Sequence, residues 1–289
     1  MAYRFNKDEA IPRAVQRVFA EELSFAVGQL TGSKKRAEAV HEARKSIKKI
    51  RALLSLLGPT ARTLDRYFRD AGRLLSDVRD RVVMLEVFNK LAEKHPGLAA
   101  ATVAEIRGNL RQREPHQAAE KSASAQVAEL LQKAPPLPVQ NLQVETLLGA
   151  ADATYRAGRK AFKRARKEES SENTHEFRKE VKKHWYHLRL LGGDAAVQRL
   201  EDLHQLETLL GDEHNLSVLR HRLKSEVETS RDRQQIRHIL EQIDQDSETL
   251  RKRALEAGER LYSEKALPIP KPPALARAPQ HLRARSAVA

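Results

Sequence analysis

The sequence predicts an all-α fold made of two four-helix bundles related by a pseudo-twofold axis. Three observations carry this. Apolar residues recur at three- and four-residue spacing among Ala, Leu, Glu, Lys, Arg and Gln, all good helix formers, and no segment alternates convincingly as a strand does. Gly, Pro and short polar clusters cut the chain into long pieces, four before a Pro-rich segment and four after it. A basic helical motif also occurs once in each half.

Taken in order, a first helix of about 8–30 ends at Thr31-Gly32-Ser33, which can cap a second helix of about 34–57. Gly58-Pro59 ends the second. A third helix is expected over about 61–94, stopping at His95-Pro96-Gly97, and a fourth over about 97–132 with a candidate break at Glu114-Pro115. "KAPPLPVQN" (133–141) reads as an extended linker, because proline fixes the backbone and cannot continue a helix. Helices of about 142–168, 172–191, 195–229 and 232–263 follow, with Gly192-Gly193 and the polar stretch around Ser230 marking two breaks. Residues 267–289, rich in Pro, Ala and Arg, are expected to be disordered. The expected organisation is a first bundle (1–132), a linker (133–141), a second bundle (142–266) and a tail, with 8–264 forming one unit.

The duplication rests on two matched blocks. "VHEARKSIKKIRALLSLLG" from Val40 aligns with "THEFRKEVKKHWYHLRLLG" from Thr174, His41 and His175 lying 134 residues apart. "LLSDVRD" (74–80) aligns with "LLGDEHN" (209–215) at an offset of 135. Two blocks in the same order, one residue out of step, are hard to obtain by chance from Lys/Leu-rich helices.

Composition narrows the partners. Lys and Arg number 53 against 39 Asp and Glu, a formal net charge of +14, and this excess points to a polyanion. The absence of cysteine excludes disulfides, Cys-ligated zinc and a cysteine nucleophile. The charged N-terminus has no apolar leader core, and no apolar run approaches the roughly 18 residues of a membrane span, so a cytoplasmic protein is expected.

The repeated helix separates a packing side from a cationic side. His41, Arg44, Lys45 and Lys48 stand at i, i+3, i+4 and i+7, within an arc of about 100°. Ala43, Ile47, Ile50, Leu54 and Leu57 mark the opposite, core-facing seam. In the second copy His175, Arg178, Lys179 and Lys182 form the stripe, Arg189 extends it, and Phe177, Val181, His184, Leu188 and Leu191 face the core. His184 is read as a buried histidine with a hydrogen-bond partner, and Trp185, Tyr186 and His187 as the edge of a groove. Further stripes run through Arg62, Arg66, Arg69 and Arg73, and through Arg156, Arg159, Lys160, Lys163 and Lys167, and few matching carboxylates are expected beside the stripes. A single stripe is usually solvated surface; several stripes lining one concavity would favour a bound polyanion. Metal binding by His41 and His175 is disfavoured, since Arg and Lys one turn away repel cations and the spacings that build helical metal sites are absent.

These residues resemble the CHAD domain, a helical family named for its histidines. The resemblance rests on "VHEARKSIKKIR" (40–51), "THEFRKEVKK" (174–183), "LSDVRD" (75–80) and "LGDEHN" (210–215), and spans about 8–264. It implies two pseudo-symmetric four-helix bundles with a basic channel between them, and non-enzymatic binding of inorganic polyphosphate there, often at polyphosphate granules. By position the implied binding residues are His41, Arg44, Lys45, Lys48, His175, Arg178, Lys179 and Lys182, with Arg79 and His214 at matching places in the second motif pair. Arg51, Arg73, Arg159, Lys160, Lys163 and Arg189 complete the expected site from the stripes. The copies differ where His184 replaces Ile50 and Trp185 replaces Arg51, which weakens strict symmetry. No E-x-E-x-K strand of a fused triphosphatase barrel is seen, so a stand-alone domain is expected, with no cofactor and no metal.

Two other classes stand beside this reading. A nucleic-acid binder accounts for the charge, but single strands usually require exposed aromatics for stacking, and aromatics are only 4% here. A phosphohydrolase would have to use Asp77, Asp80 or Asp212 of the second motif pair with a metal. No Walker A or other Gly-rich phosphate loop is present.

Overall fold

Every regular element among the described residues is helical, as the sequence predicts. The computed structural model describes residues 3–7, 9–32, 36–112, 117–140, 142–193, 196–224 and 232–265. The helices are α1 (Ile11–Gly32), α2 (Arg36–Leu56), α3 (Arg62–Leu74), α4 (Ser76–Lys94), α5 (Ala100–Gln112), α6 (Gln117–Gln132), α7 (Val144–Lys167), α8 (Ser171–Leu191), α9 (Val197–Lys224) and α10 (Arg233–Tyr262), with a 3-10 turn, Gly58–Ala61, between α2 and α3. The expected disordered tail lies outside the described residues.

One element is corrected. The single helix expected over 61–94 is two helices, α3 and α4, that meet at Leu75. There the Leu75 N–H bonds to the Arg73 carbonyl. The guanidinium of Arg44, from α2, donates Nη1–H to the Gly72 carbonyl (2.9 Å) and to Ser76 Oγ (2.7 Å). A carbonyl in the last turn of a helix needs an outside donor, and Arg44 supplies one. α5 ends at Gln112 and α6 begins at Gln117; the break expected at Glu114-Pro115 falls between them, outside the described residues.

Both motif helices bury the seam that their periodicity marks. Ala43, Ile47, Ile50 and Leu54 are buried on α2, with Leu57 just past its end, and Phe177, Val181, His184, Leu188 and Leu191 on α8. A buried carboxylate, Glu22 of α1, is satisfied by α2: Ser46 Oγ donates at 2.6 Å and Lys49 Nζ at 2.7 Å. Such pairing offsets the cost of removing a charge from water. The 133–140 segment has no regular structure, yet it lies on the core, with Val139 buried and Ala134 and Leu137 packed against it.

Among the described residues the apolar interior forms three clusters. The first joins α1, α2, α3, α6 and the start of α7 with Tyr186, Leu190 and Leu191 at the end of α8. The second joins α7 and α8 with the N-terminal part of α9 and the C-terminal part of α10. Close approach there uses two glycines: a Cβ at Gly158 of α7 would lie 2.7 Å from the Tyr262 ring, and one at Gly258 of α10 would lie 2.8 Å from Phe162. The third cluster draws Phe88 and Leu91 of α4 and Ile106 of α5 together with Leu219 and Leu223 of α9 and Ile236, Ile239 and Ile243 of α10. Lys94 and His95 at the end of α4 close it, both pairing with Asp246 of α10. The first and third clusters therefore each take side chains from both halves of the sequence.

Candidate functional site

The two motif helices meet directly. His187 of α8 donates Nε2–H to the Ala52 carbonyl of α2 at 3.0 Å, and the same nitrogen lies 2.8 Å from Ser55 Oγ. A carbonyl only accepts, so the proton must sit on Nε2. Both this ring and that of His184 are buried. His184 Nδ1 lies 2.9 Å from the Tyr262 hydroxyl, which gives it the hydrogen-bond partner expected from the sequence. Burial is the main reason that both rings stay neutral: the pKa of His187 is pushed down to about 3, and that of His184 well below the ordinary histidine value.

Beside this junction α2, α3 and α8 enclose a cleft of about 450 Å³. Lys48 and Arg51 line it from α2, and Arg178, Lys179, Lys182 and Lys183 from α8, with Asp65 of α3, Glu180 and the ring of Tyr186. Six cations thus face two carboxylates around one cavity. Five of the six belong to the set expected from the sequence. Lys183 was missed, although it is the last residue of the motif's Lys-Lys pair.

Arg51, Arg178, Lys179, Lys182 and Lys183 of the cleft are paired with carboxylates, so the expectation of few matching acids fails for the motif stripes. Arg51 grips Asp65 with two bonds, 2.8 and 3.2 Å. Lys182 Nζ lies 2.5 Å from Glu207 of α9, and Arg178 Nη2 lies 3.7 Å from the same oxygen. Burial opposes ionisation of Glu207, but Lys182, then Arg178 and Lys48, outweigh it and hold its pKa below the ordinary value. Lys179 pairs with Glu176 at 2.5 Å, Lys183 with Glu180 at 3.0 Å and Lys45 with Glu42 at 2.9 Å, each three residues apart. These last partners are written in the motif as E-x-x-K; Asp65 and Glu207 come from other helices and carry no local signal.

The remaining expected residues lie elsewhere. His41, Arg44 and Lys45 stand on α2 toward its N-terminus and do not line the cleft. His41 Nε2 is 3.9 Å from Glu42. His175 and His214 are brought together, ring centroids 4.5 Å apart, so the second copy does join its two motif blocks. The pKa of His175 is lowered by burial first, then by Arg178 and Lys179, against the opposing pull of Glu176. The guanidinium of Arg189 lies over the Trp185 ring at 5.0 Å and the Tyr3 ring at 5.5 Å. Arg73 is exposed beside Asp70. Arg159 is turned away from the cleft to the end of α10, where it donates to the carbonyls of Tyr262 (3.1 Å) and Ser263 (3.4 Å). Lys160 and Lys163 are exposed on α7 and do not line the cleft. The Arg79, Asp77 and Asp80 side chains lie outside the described residues. Among those described, no group of three or more His, Asp or Glu could hold a metal ion, and no helix is long and apolar enough to cross a membrane.

The geometry can serve anion capture. Carboxylate oxygens already occupy the positions where phosphate oxygens would be received by Arg forks and Lys ammonium groups. No curated protein matches the sequence. The chain is similar to a crystal structure of the CHAD domain from the plant Ricinus communis, with a TM-score of 0.64 over 94% of this chain and 97% of that one, at 17% identity. At that identity the likeness shows the fold alone. The CHAD domain family model matches residues 17–224, which include both copies of the histidine-led helix and both partner blocks, and the chain belongs to that family.

Proposed function

We propose that this chain binds inorganic polyphosphate, without transforming it, in the cleft between α2 and α8. One observation carries the reading: both copies of the motif contribute cations to a single cavity, Lys48 and Arg51 from one side and Arg178, Lys179, Lys182 and Lys183 from the other. A linear phosphate chain has a negative charge on each internal unit and no base or sugar to be read, so regularly placed donors suffice for its recognition. Binding exchanges resident carboxylates for phosphate oxygens, and it releases counterions, which makes it steeply salt-dependent. A cytoplasmic protein associated with polyphosphate granules is consistent with this reading.

The test is anisotropy of labelled long-chain polyphosphate, competed with single-stranded DNA and heparin. The expected result is that polyphosphate outcompetes both. Lys48→Ala/Arg178→Ala/Lys179→Ala/Lys182→Ala should lower the slope of log affinity against log salt by about 3, four contacts at roughly 0.7 each. Equal competition by all three polymers, or an unchanged slope in the variant, overturns the reading. Phosphate release with Mg²⁺ that is lost in Asp77→Asn would make the protein a hydrolase instead.

A further inference from the structure

We infer that the basic cleft continues over α3 as a second groove, so that the protein selects long polyphosphate chains over short ones. This rests on the function proposed above and extends its site. A second cavity of about 620 Å³ is lined by Arg62, Arg66 and Arg69 of α3, and by Gly58 at the corner before it. Ser55 and Asp65 line both cavities, so the two share a rim. Asp65 sits on that rim already bound by both arms of Arg51, and an incoming chain therefore meets a neutralised carboxylate at the crossing.

The three arginines stand at four- and three-residue spacing, hence on one side of α3. They span about 10 Å along the axis at the helical rise per residue. Arg62 and Arg66 are exposed, while Arg69 is partly covered and bonds to Asp70 at 3.1 Å. Gly58, whose positive φ of 73° turns the chain from α2 toward α3, lines the groove without a side chain, beside Leu54, Pro59 and Ala61. A chain filling only the α2/α8 cleft leaves these arginines to solvent. A longer chain crosses the shared rim and adds their three contacts without a second association event, which raises affinity as linked binding does.

The experiment compares tripolyphosphate with long-chain polyphosphate on the full chain. Arg62→Ala/Arg66→Ala/Arg69→Ala is set against Arg237→Ala/Lys252→Ala/Arg253→Ala, three exposed cations of α10 that line neither cavity. The α3 variant should lower the long-chain salt slope by about 2, three contacts at roughly 0.7, and leave tripolyphosphate binding unchanged. The α10 variant should leave both nearly as in the wild type. Equal losses from the α3 and α10 variants, or an α3 loss that is the same for short and long chains, overturns the second groove while the cleft reading stands. If the wild type binds neither polymer, the cleft reading itself fails and the extension falls with it.

Discussion

Where α2 carries Ile50 and Leu53, α8 carries His184 and His187. All four are buried, yet the first pair is held by packing alone and the second by hydrogen bonds to Tyr262, Ala52 and Ser55. The motif arginines diverge in a similar way. Arg44 donates to the Gly72 carbonyl and Ser76 Oγ, whereas Arg178 approaches the carboxylate of Glu207 and lies over Gly211. Glu207 and Gly211 are the counterparts of Gly72 and Ser76 at the 135-residue offset. Both halves thus bring the motif arginine to the same place on the partner block. In the first half it ties together the helix ends at Leu75; in the second it stays with the cleft, beside an α9 that runs unbroken. The duplicated part is the placement of cations, and each half supports it by its own means.

The largest way to break this contrast is acid. The folded pKa values of His184 and His187 lie below the unfolded value, so the unfolded chain takes up protons that the native state refuses. Near pH 7 the contribution is absent. As pH falls below about 6.5, each histidine should remove roughly 1.4 kcal/mol of stability per pH unit, and for His187 this continues toward its folded value. Urea midpoints from pH 7 to pH 4.5 should fall more steeply for wild type than for His184→Ile/His187→Leu, which copies the α2 residues into α8. Parallel slopes would show that the rings are not held neutral.

A smaller effect separates the two arginines. Arg44→Ala should cost about 1–3 kcal/mol of stability, because Ser76 Oγ loses its donor and the Gly72 carbonyl keeps only the longer bond from Ser76, with little change in the polyphosphate salt slope. Arg178→Ala should lower that slope by about 0.7. A slope that drops equally in both variants would place Arg44 in the binding surface, as the family pattern implies, and remove the contrast.

The smallest effect concerns the acids of the motif. Glu42→Gln and Glu176→Gln each break a partly exposed pair three residues apart, and each should change stability by less than about 0.5 kcal/mol. Glu176→Gln frees Lys179, which lines the cleft, and should tighten polyphosphate binding; Glu42→Gln frees Lys45, which does not, and should tighten it less. The opposite order would show that the N-terminal part of α2 is the better anion surface.

What was legible in the sequence is what period and repetition encode. The buried seams of α2 and α8 are the ones their spacing marks, the burial of His184 followed from its place on such a seam, and Lys48 and Lys182 face a shared cavity as matched positions should. A stripe identifies one side of a helix but does not say what that side meets. Arg159 therefore looked like a binding residue and proved to cap the end of α10, while Lys160 and Lys163 on the same helix remain on the surface away from the cleft. The break at Leu75 was hidden for a related reason: part of its support is a guanidinium about thirty residues earlier in the chain. Glu207 and Asp65 escaped notice because their partners lie on other helices.

The third apolar cluster also sets a schedule for the growing chain. Phe88, Leu91 and Ile106 are made early, but the side chains that cover them, from Leu216 onward, come about a hundred residues later. At roughly 5–20 residues per second, the interval is about 5–20 s. Throughout it, α4 and α5 leave the ribosome with their oily faces uncovered. The third cluster, which shares no residue with the cleft, is therefore where a nascent chain is most exposed to wrong partners, and the C-terminal helices α9 and α10 are what end that exposure.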